Sequence, residues 1–189
     1  MALTTETKVF ELADAKVFLQ SADTAGGSPT YGSPVDIPGV LSLGVAPHFI
    51  TKELRGDSVI IDLYSHADYV DLKLTNAKIP LNILDMLMGG TVANTGTTPN
   101  EIQTYDLSSA DDAEYVKIEG QATYADVGDV HVVFYKGKLQ AGADWEMADN
   151  SGDFAKITAT IRFIHTTGTV SAKHRLMAII MNETAVAIT

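Results

Sequence analysis

The chain has no cysteine in its 189 residues, which removes disulfides, thiolate metal ligands and cysteine nucleophiles together. Stability has to come from packing or from assembly. Basic residues are scarce as well: Lys and Arg total 13 against 24 Asp and Glu, a formal net charge of −11. That is the wrong sign for a protein that grips nucleic acid by neutralising phosphates. Long apolar runs are missing, and the longest, such as Leu176 to Met181, fall far short of the ~20 residues of a membrane-spanning helix. The first residues mix Glu6, Lys8 and Glu11 with threonines and lack the basic start and apolar stretch of a secretory leader. The expectation is a protein that stays where it is made, with no membrane partner.

Catalytic patterns are lacking too. His48, His66, His131, His165 and His174 form no i, i+4 pair and no His-Glu-x-x-His arrangement, so no metal site is expected; His131 and His165 sit in strand-like segments and read as structural. There is no Gly-x-Ser-x-Gly, no Gly-x-x-x-x-Gly-Lys-Ser/Thr and no Gly-x-Gly-x-x-Gly, the spacings that build a nucleophile elbow or cradle phosphates. The carboxylates Asp111, Asp112 and Glu114, and Asp144 with Glu146, fall in loop-like sequence, where solvation does not raise a pKa for acid catalysis. The reading is a non-enzyme without a cofactor. Arg55-Gly56-Asp57 spells an adhesion tripeptide, yet a glycine between charged residues at a strand end is an ordinary turn or bulge signal.

What is present is a composition close to the globular average, 46% hydrophobic and 20% charged, in a length that suits one domain over residues 1–189. Period two dominates. In Tyr69 to Thr75, Val70, Leu72 and Leu74 share one face and Asp71, Lys73 and Thr75 the other. Tyr115 to Tyr124 sets Val116, Ile118 and Ala122 against Lys117, Glu119, Gln121 and Thr123, and Lys156 to Phe163 alternates in the same way. Ala15 to Gln20, Val35 to Val45, Phe49 to Leu54, Val59 to Ser65, Glu101 to Leu107, Val130 to Leu139 and Arg175 to Ile188 add further strands, roughly ten in all. One helix is expected at about residues 80–88: Pro80 suits a first turn, Leu81, Leu84, Leu87 and Met88 form a stripe, and Gly89-Gly90 end it. The fold class is therefore mainly β, an antiparallel β-sandwich or barrel with one short flanking helix. Loops are expected at residues 21–33, 91–100 and 141–153. Residues 154–189 hold Lys156, Arg162, Lys173 and Arg175 against Glu183 alone, a locally basic stretch on an acidic chain.

Lys52-Glu53-Leu54-Arg55-Gly56-Asp57, the stretch Ile79 to Thr91 with its Gly89-Gly90-Thr91 end, and Gly96-Thr97-Thr98-Pro99-Asn100 occur in an order that resembles the major tail tube proteins of long-tailed, non-contractile bacteriophages. The strands Tyr115 to Tyr124, Asp129 to Gln140 and Phe154 to Phe163 extend the likeness over residues 35–165. It departs at Ser58, where a second acidic residue would fit, and after Ile164. The resemblance implies a β-sandwich or barrel whose six copies form a ring, rings stacking into the hollow virion tail after assembly in the host cytoplasm. It implies as partners the chain itself and the tape-measure, tail-terminator and distal-tail proteins, with DNA in passage. The family-motif residues are Glu53, Leu54, Arg55, Gly56, Asp57, Gly89, Gly90 and Thr91. Asp71, Lys73, Thr75, Lys117, Glu119, Gln121 and Thr123 are the lumen-facing candidates under that reading. Gly26, Gly27, Pro29, Asp144, Trp145, Glu146, Lys173 and Arg175, with the first eight residues, are the candidates for contact between rings. Two alternatives stay open at this point: a type VI secretion-like or other protein-delivery tube, and a monomeric β-sandwich that binds a ligand, for which Trp145 is the single aromatic support.

Overall fold

A computed structural model describes residues 12–78, 80–124, 128–145 and 156–189. In chain order the elements are β1 (Asp14–Ala22), β2 (Thr30–Tyr31), β3 (Val35–Asp36), β4 (Val40–Gly56), β5 (Val59–Asn76), α1 (Leu81–Met88), β6 (Thr91–Thr95), β7 (Ile102–Asp106), β8 (Val116–Tyr124), β9 (Gly128–Trp145), β10 (Ile157–Phe163) and β11 (Met177–Asn182). Mainly β architecture with one short helix is what the sequence periods indicate. The sheet is open, not a closed barrel: nine strands run β2-β1-β8-β9-β10-β5-β4, with β11 added to β9 and β3 to β1, and every pairing is antiparallel. A separate ribbon joins β6 to β7.

The alternation seen in sequence becomes burial on one face. Val17, Leu72, Val116, Ile118, Phe134, Ile161 and Phe163 are fully or almost fully buried, drawn from five strands that curl around a common core. Phe134 and Phe163 meet at 5.1 Å between ring centroids, and the Phe163 ring lies directly over Gly137, where no Cβ would fit. Helix α1 closes the end of this core with Ile83, Leu84 and Leu87, and Leu84 packs in a second small cluster with Ala143, Ile157 and Ala159. Gly89 ends the helix at φ 75°, and a Cβ there would stand 2.6 Å from the Asp112 carbonyl oxygen, so both conformation and space require glycine.

Four boundaries differ from the sequence reading. Val35 to Leu54 and Val59 to Thr75, each expected as two strands, form the continuous β4 and β5 after a short β3. Pro47, in the gap between the two strands expected there, lies within β4 because β4 is the sheet edge, where proline costs no ladder bond. Residues 91–95 of the expected loop pair with β7, and residues 141–145 extend β9. The last strand is only Met177–Asn182, because residues 183–189 leave the ladder. Residues 146–153 lie outside the described residues.

Replacing Leu84 with Asp places a carboxylate in an apolar cluster with no counter-charge, and the expected cost is about 3–5 kcal/mol. Urea unfolding of the purified variant measures it, with an unfolded or strongly destabilised subunit as the outcome.

Candidate functional site

The family-motif residues gather at two places. Glu53, Leu54, Arg55, Gly56 and Asp57 form the tip of the β4–β5 hairpin. Asp57 and Ser58 turn the chain at φ 50° and 66°, the two positive values of a type I′ turn, whose twist matches that of the flanking strands. Arg55 clamps Glu53 with two bonds, Nε at 2.9 Å and Nη2 at 2.6 Å to Oε2. Gly89, Gly90 and Thr91 instead join α1 to β6, and the Tyr105 hydroxyl donates to the Gly89 carbonyl at 2.6 Å. The structure does not bring the two groups together as one site.

The hairpin is the most conspicuous surface. β10 pairs with β5 only along residues 70–76, so residues 59–69 pair with β4 alone, a ribbon that reaches ~35 Å from the body. At its base His48 stacks on Tyr69 at 4.4 Å, and the Arg162 guanidinium lies over that ring at 3.7 Å. Beyond that stack exposed apolar side chains stand on both faces, among polar and charged ones such as Lys52, Glu53, Arg55 and Asp62. In the register Phe49 stands opposite Ala67 and Leu63 opposite Glu53 on one face, Tyr64 opposite Lys52 and Leu54 opposite Asp62 on the other, and a bulge between Leu54 and Arg55 puts Val59, opposite Gly56, on the face of Leu54. Ile61 is 67% exposed and Val59 64%. An apolar groove of about 410 Å³ continues from the hairpin base, lined by Leu12, Leu41, Leu43, Val45, Val132 and Phe134 among others.

The lumen-facing candidates separate into two halves of the outer sheet face. Asp71, Lys73 and Thr75 lie on its open half beside Thr158, Thr160 and Arg162 of β10; Asp71 holds Arg162 through two bonds of 2.8 and 2.9 Å. On β8 the expectation of a wet face is corrected for two residues: Glu119 is 8% exposed and Gln121 9%, because residues 183–189 cross over them. Lys117 is partly covered, 4.0 Å above the Phe18 ring, and Thr123 is exposed.

Beneath that crossing segment lies a polar cluster that the alternation of β8 and β9 did not reveal. Asp129, 1% exposed, accepts on Oδ2 from Gln121 Nε2 (2.6 Å), His131 Nε2 (2.9 Å) and the Val186 N–H (2.8 Å), and on Oδ1 from Asn182 Nδ2 (2.8 Å). His131 Nδ1 donates to Glu119 Oε1 at 2.6 Å, and Nε2 also faces the Val186 carbonyl at 3.0 Å. Both ring nitrogens face acceptors, so both carry hydrogen and the ring is an imidazolium. Burial pulls the His131 pKa down, but its bonds to Glu119 and Asp129 outweigh burial and raise it. Burial raises the Asp129 pKa, and the donors of Val186, His131, Asn182 and Gln121 outweigh it, leaving about 2. Lys117 Nζ stands 2.9 Å from Glu119 Oε2, and Lys16 Nζ donates to the Ile188 carbonyl at 3.2 Å with Asp14 4.0 Å away.

The candidates for contact between rings fare differently. Residues 21–33 are fastened to their own body: Asp23 takes bonds from Lys136, Thr167 and Gly168, and the Thr169 N–H reaches the Gly27 carbonyl. Pro29 is buried within the subunit, which removes it from any outer contact, whereas Gly26 is exposed at the tip. Asp144 and Lys173 are exposed; Arg175 turns back to the Val170 carbonyl. Trp145 ends β9 opposite Ile157. Glu146 and residues 1–8 lie outside the described residues. Among the described residues no helix is long and apolar enough to cross a membrane, and no group of His, Asp and Glu side chains is placed to hold a metal ion. No protein-family model matches this chain, and no curated protein matches it significantly.

The sign of the His131 shift sets a pH dependence. A folded-state pKa above the unfolded value contributes stability that is complete below pH ~6.5 and is lost as pH rises through the folded value. Chemical denaturation between pH 6 and 9 is expected to show a stability loss that His131→Gln abolishes; equal slopes in both proteins would contradict the imidazolium. His131→Ala leaves Asp129 with neutral donors only and Glu119 with Lys117 in place of two cations, and is expected to cost about 3 kcal/mol at pH 6.

Proposed function

We propose that this chain is the structural subunit of a homo-oligomeric hollow tube of the phage tail type, a conduit for DNA that makes and breaks no covalent bond. The observation that carries the reading is the β4–β5 ribbon. A two-stranded hairpin alone is marginal in water, and this one exposes large apolar side chains on both faces with no further strand beside it among the described residues. Large exposed apolar surface of that kind belongs at an interface. Among the described residues the outer edge of β4 has no paired strand, and such edges are closed in assemblies by pairing with a neighbour. A heterologous contact between identical copies closes into a ring where its rotation closes.

Charge supports the cargo. Every Lys or Arg that neutralises a phosphate adds affinity by counterion release, and along a tube this would hold DNA rather than pass it. An excess of 24 acidic over 13 basic residues favours release. On the open half of the outer face Arg162 is neutralised by Asp71, which lowers its attraction for phosphate.

The double variant Ile61→Asp, Leu63→Asp alters two side chains that are mostly exposed in the subunit, so its thermal midpoint should match the parent. Electron microscopy of concentrated parent protein should give rings or hollow fibres, and the variant only single particles. Parent protein that remains monomeric at every concentration and salt tested, or a variant that forms normal tubes, overturns the proposal. The expected partner of residues 21–33 is now their own subunit, and deleting them should destabilise the body as well as impair assembly.

A further inference from the structure

The open sheet leaves a seam. Its path ends at β4, and among the described residues no ladder joins β4 to β8 or β9. The sheet nevertheless curls until residues 41–45 of β4 stand across an apolar groove of about 410 Å³ from residues 120–122 of β8 and 130–134 of β9. Its floor is dry, with Ala122 3%, Val130 5% and Phe134 0% exposed, whereas Leu41 and Val45 on the β4 side remain 52% and 41% exposed. At Gly120 the two sides meet: a Cβ there would stand 2.5 Å from Leu43 Cδ1 and 3.3 Å from Leu12 Cδ1. Leu12, the first described residue, thus lines the groove itself. The next residue fastens the chain at this spot, the Ala13 N–H donating to the Gln121 carbonyl at 2.7 Å. The chain therefore enters β1 from the seam.

From that point of entry we infer that Phe10 fills the groove of its own subunit, so that the start of the chain seals the seam between β4 and β8. An extended chain returns its side chains to one side every second residue. Phe10 then follows Leu12 into the groove, while the charged Glu11 between them turns to water. Two residues span ~7 Å, so the groove is within reach without a second copy. Thr4, Thr5, Glu6, Thr7 and Lys8 offer no apolar side chain, which leaves Phe10 as the aromatic anchor next to the site. Space is sufficient, since a cavity of ~150 Å³ already takes a benzene ring. The ring also covers the exposed β4 side of the groove, and apolar burial of this kind holds a seam that backbone bonds do not close. The assignment concerns a single subunit and does not rest on the tube reading.

The test uses the full chain in two arms. In the first, photoreactive benzoylphenylalanine is incorporated in place of Phe10, and the dilute protein is illuminated beside an equal amount of an epitope-tagged parent copy. Cross-links from position 10 to residues 41–45, 120–122 or 130–134 of the same chain are expected. Cross-links to the tagged copy instead, or only to other surfaces, overturn the assignment. The second arm is urea unfolding of Phe10→Ala, Leu41→Ala and the double variant. Phe10→Ala is expected to lower the unfolding midpoint of the parent, and to lower that of the Leu41→Ala chain by clearly less, because side chains in contact are not additive. Equal shifts in the two backgrounds, or no shift in either, overturn the assignment. This arm does not depend on whether the larger photoreactive group fits.

Discussion

Pairing along β9 is the constraint from which the outline of this molecule follows. One edge of the strand is taken by β8, but the other changes partner midway: β11 pairs with Asp129–Phe134 and β10 with Gly137–Trp145. At the change the Tyr135 N–H meets the Leu176 carbonyl and the Ile164 N–H meets the Lys136 carbonyl, so the chain leaves β9 after β10 and returns as β11. On the side away from β4, β5 is fastened to β10, and β10 ends at Phe163. Past Val70, β5 has no lateral neighbour except β4 among the described residues. The ribbon and the polar site under residues 183–189 thus have one origin, a strand long enough to serve two separate partners.

The body and the ribbon meet different energetic conditions. In the body, aliphatic and aromatic side chains from five strands and α1 leave water, each full burial contributing ~1.5–3 kcal/mol against the entropy of ordering it. In the ribbon, Phe49, Leu54, Ile61 and Leu63 stay exposed while their backbone is ordered, so the entropic cost is met without that gain. The π stack of His48, Tyr69 and Arg162 fixes only its base. Burying these side chains against another molecule would supply what the subunit lacks, and on this reasoning the ribbon's sequence is matched to an interface rather than to the isolated fold.

The strands and the helix were legible because burial on one face imposes period two or a 3.6-residue stripe on the sequence, as in Val70 to Leu74 and in Leu84 with Leu87. The length of the hairpin was not. Its outer half has no buried face among the described residues, so no continuous period carried the expected strands across residues 46–48 and 66–68. The polar cluster escaped for the opposite reason. Glu119, Gln121, Asp129 and His131 alternate with apolar residues as if they faced water, and local pattern cannot show that a segment more than 50 residues away roofs them. Two polar residues at i, i+2 on one strand, Asp129 and His131, facing two more on its neighbour were the only signal. Charged side chains in that arrangement are read as solvated unless the tertiary cover is known.

Apolar cover and directional polar recognition contribute differently to association. Surface such as that of Ile61 and Leu63 is attracted to any apolar partner, with little angular preference. A copy held only by its ribbon would slide, because β pairing along a two-faced apolar strand specifies register weakly. The site around Asp129 discriminates by a single residue: a shift of one position along 183–189 presents the wrong face of the peptide and strands Asp129 without the Val186 N–H. The ribbon offers driving force for association, while the polar site fixes the register of residues 183–189 on their own subunit. The division follows from chemistry, since burial scales with area while an unpaired buried carboxylate penalises every misaligned arrangement.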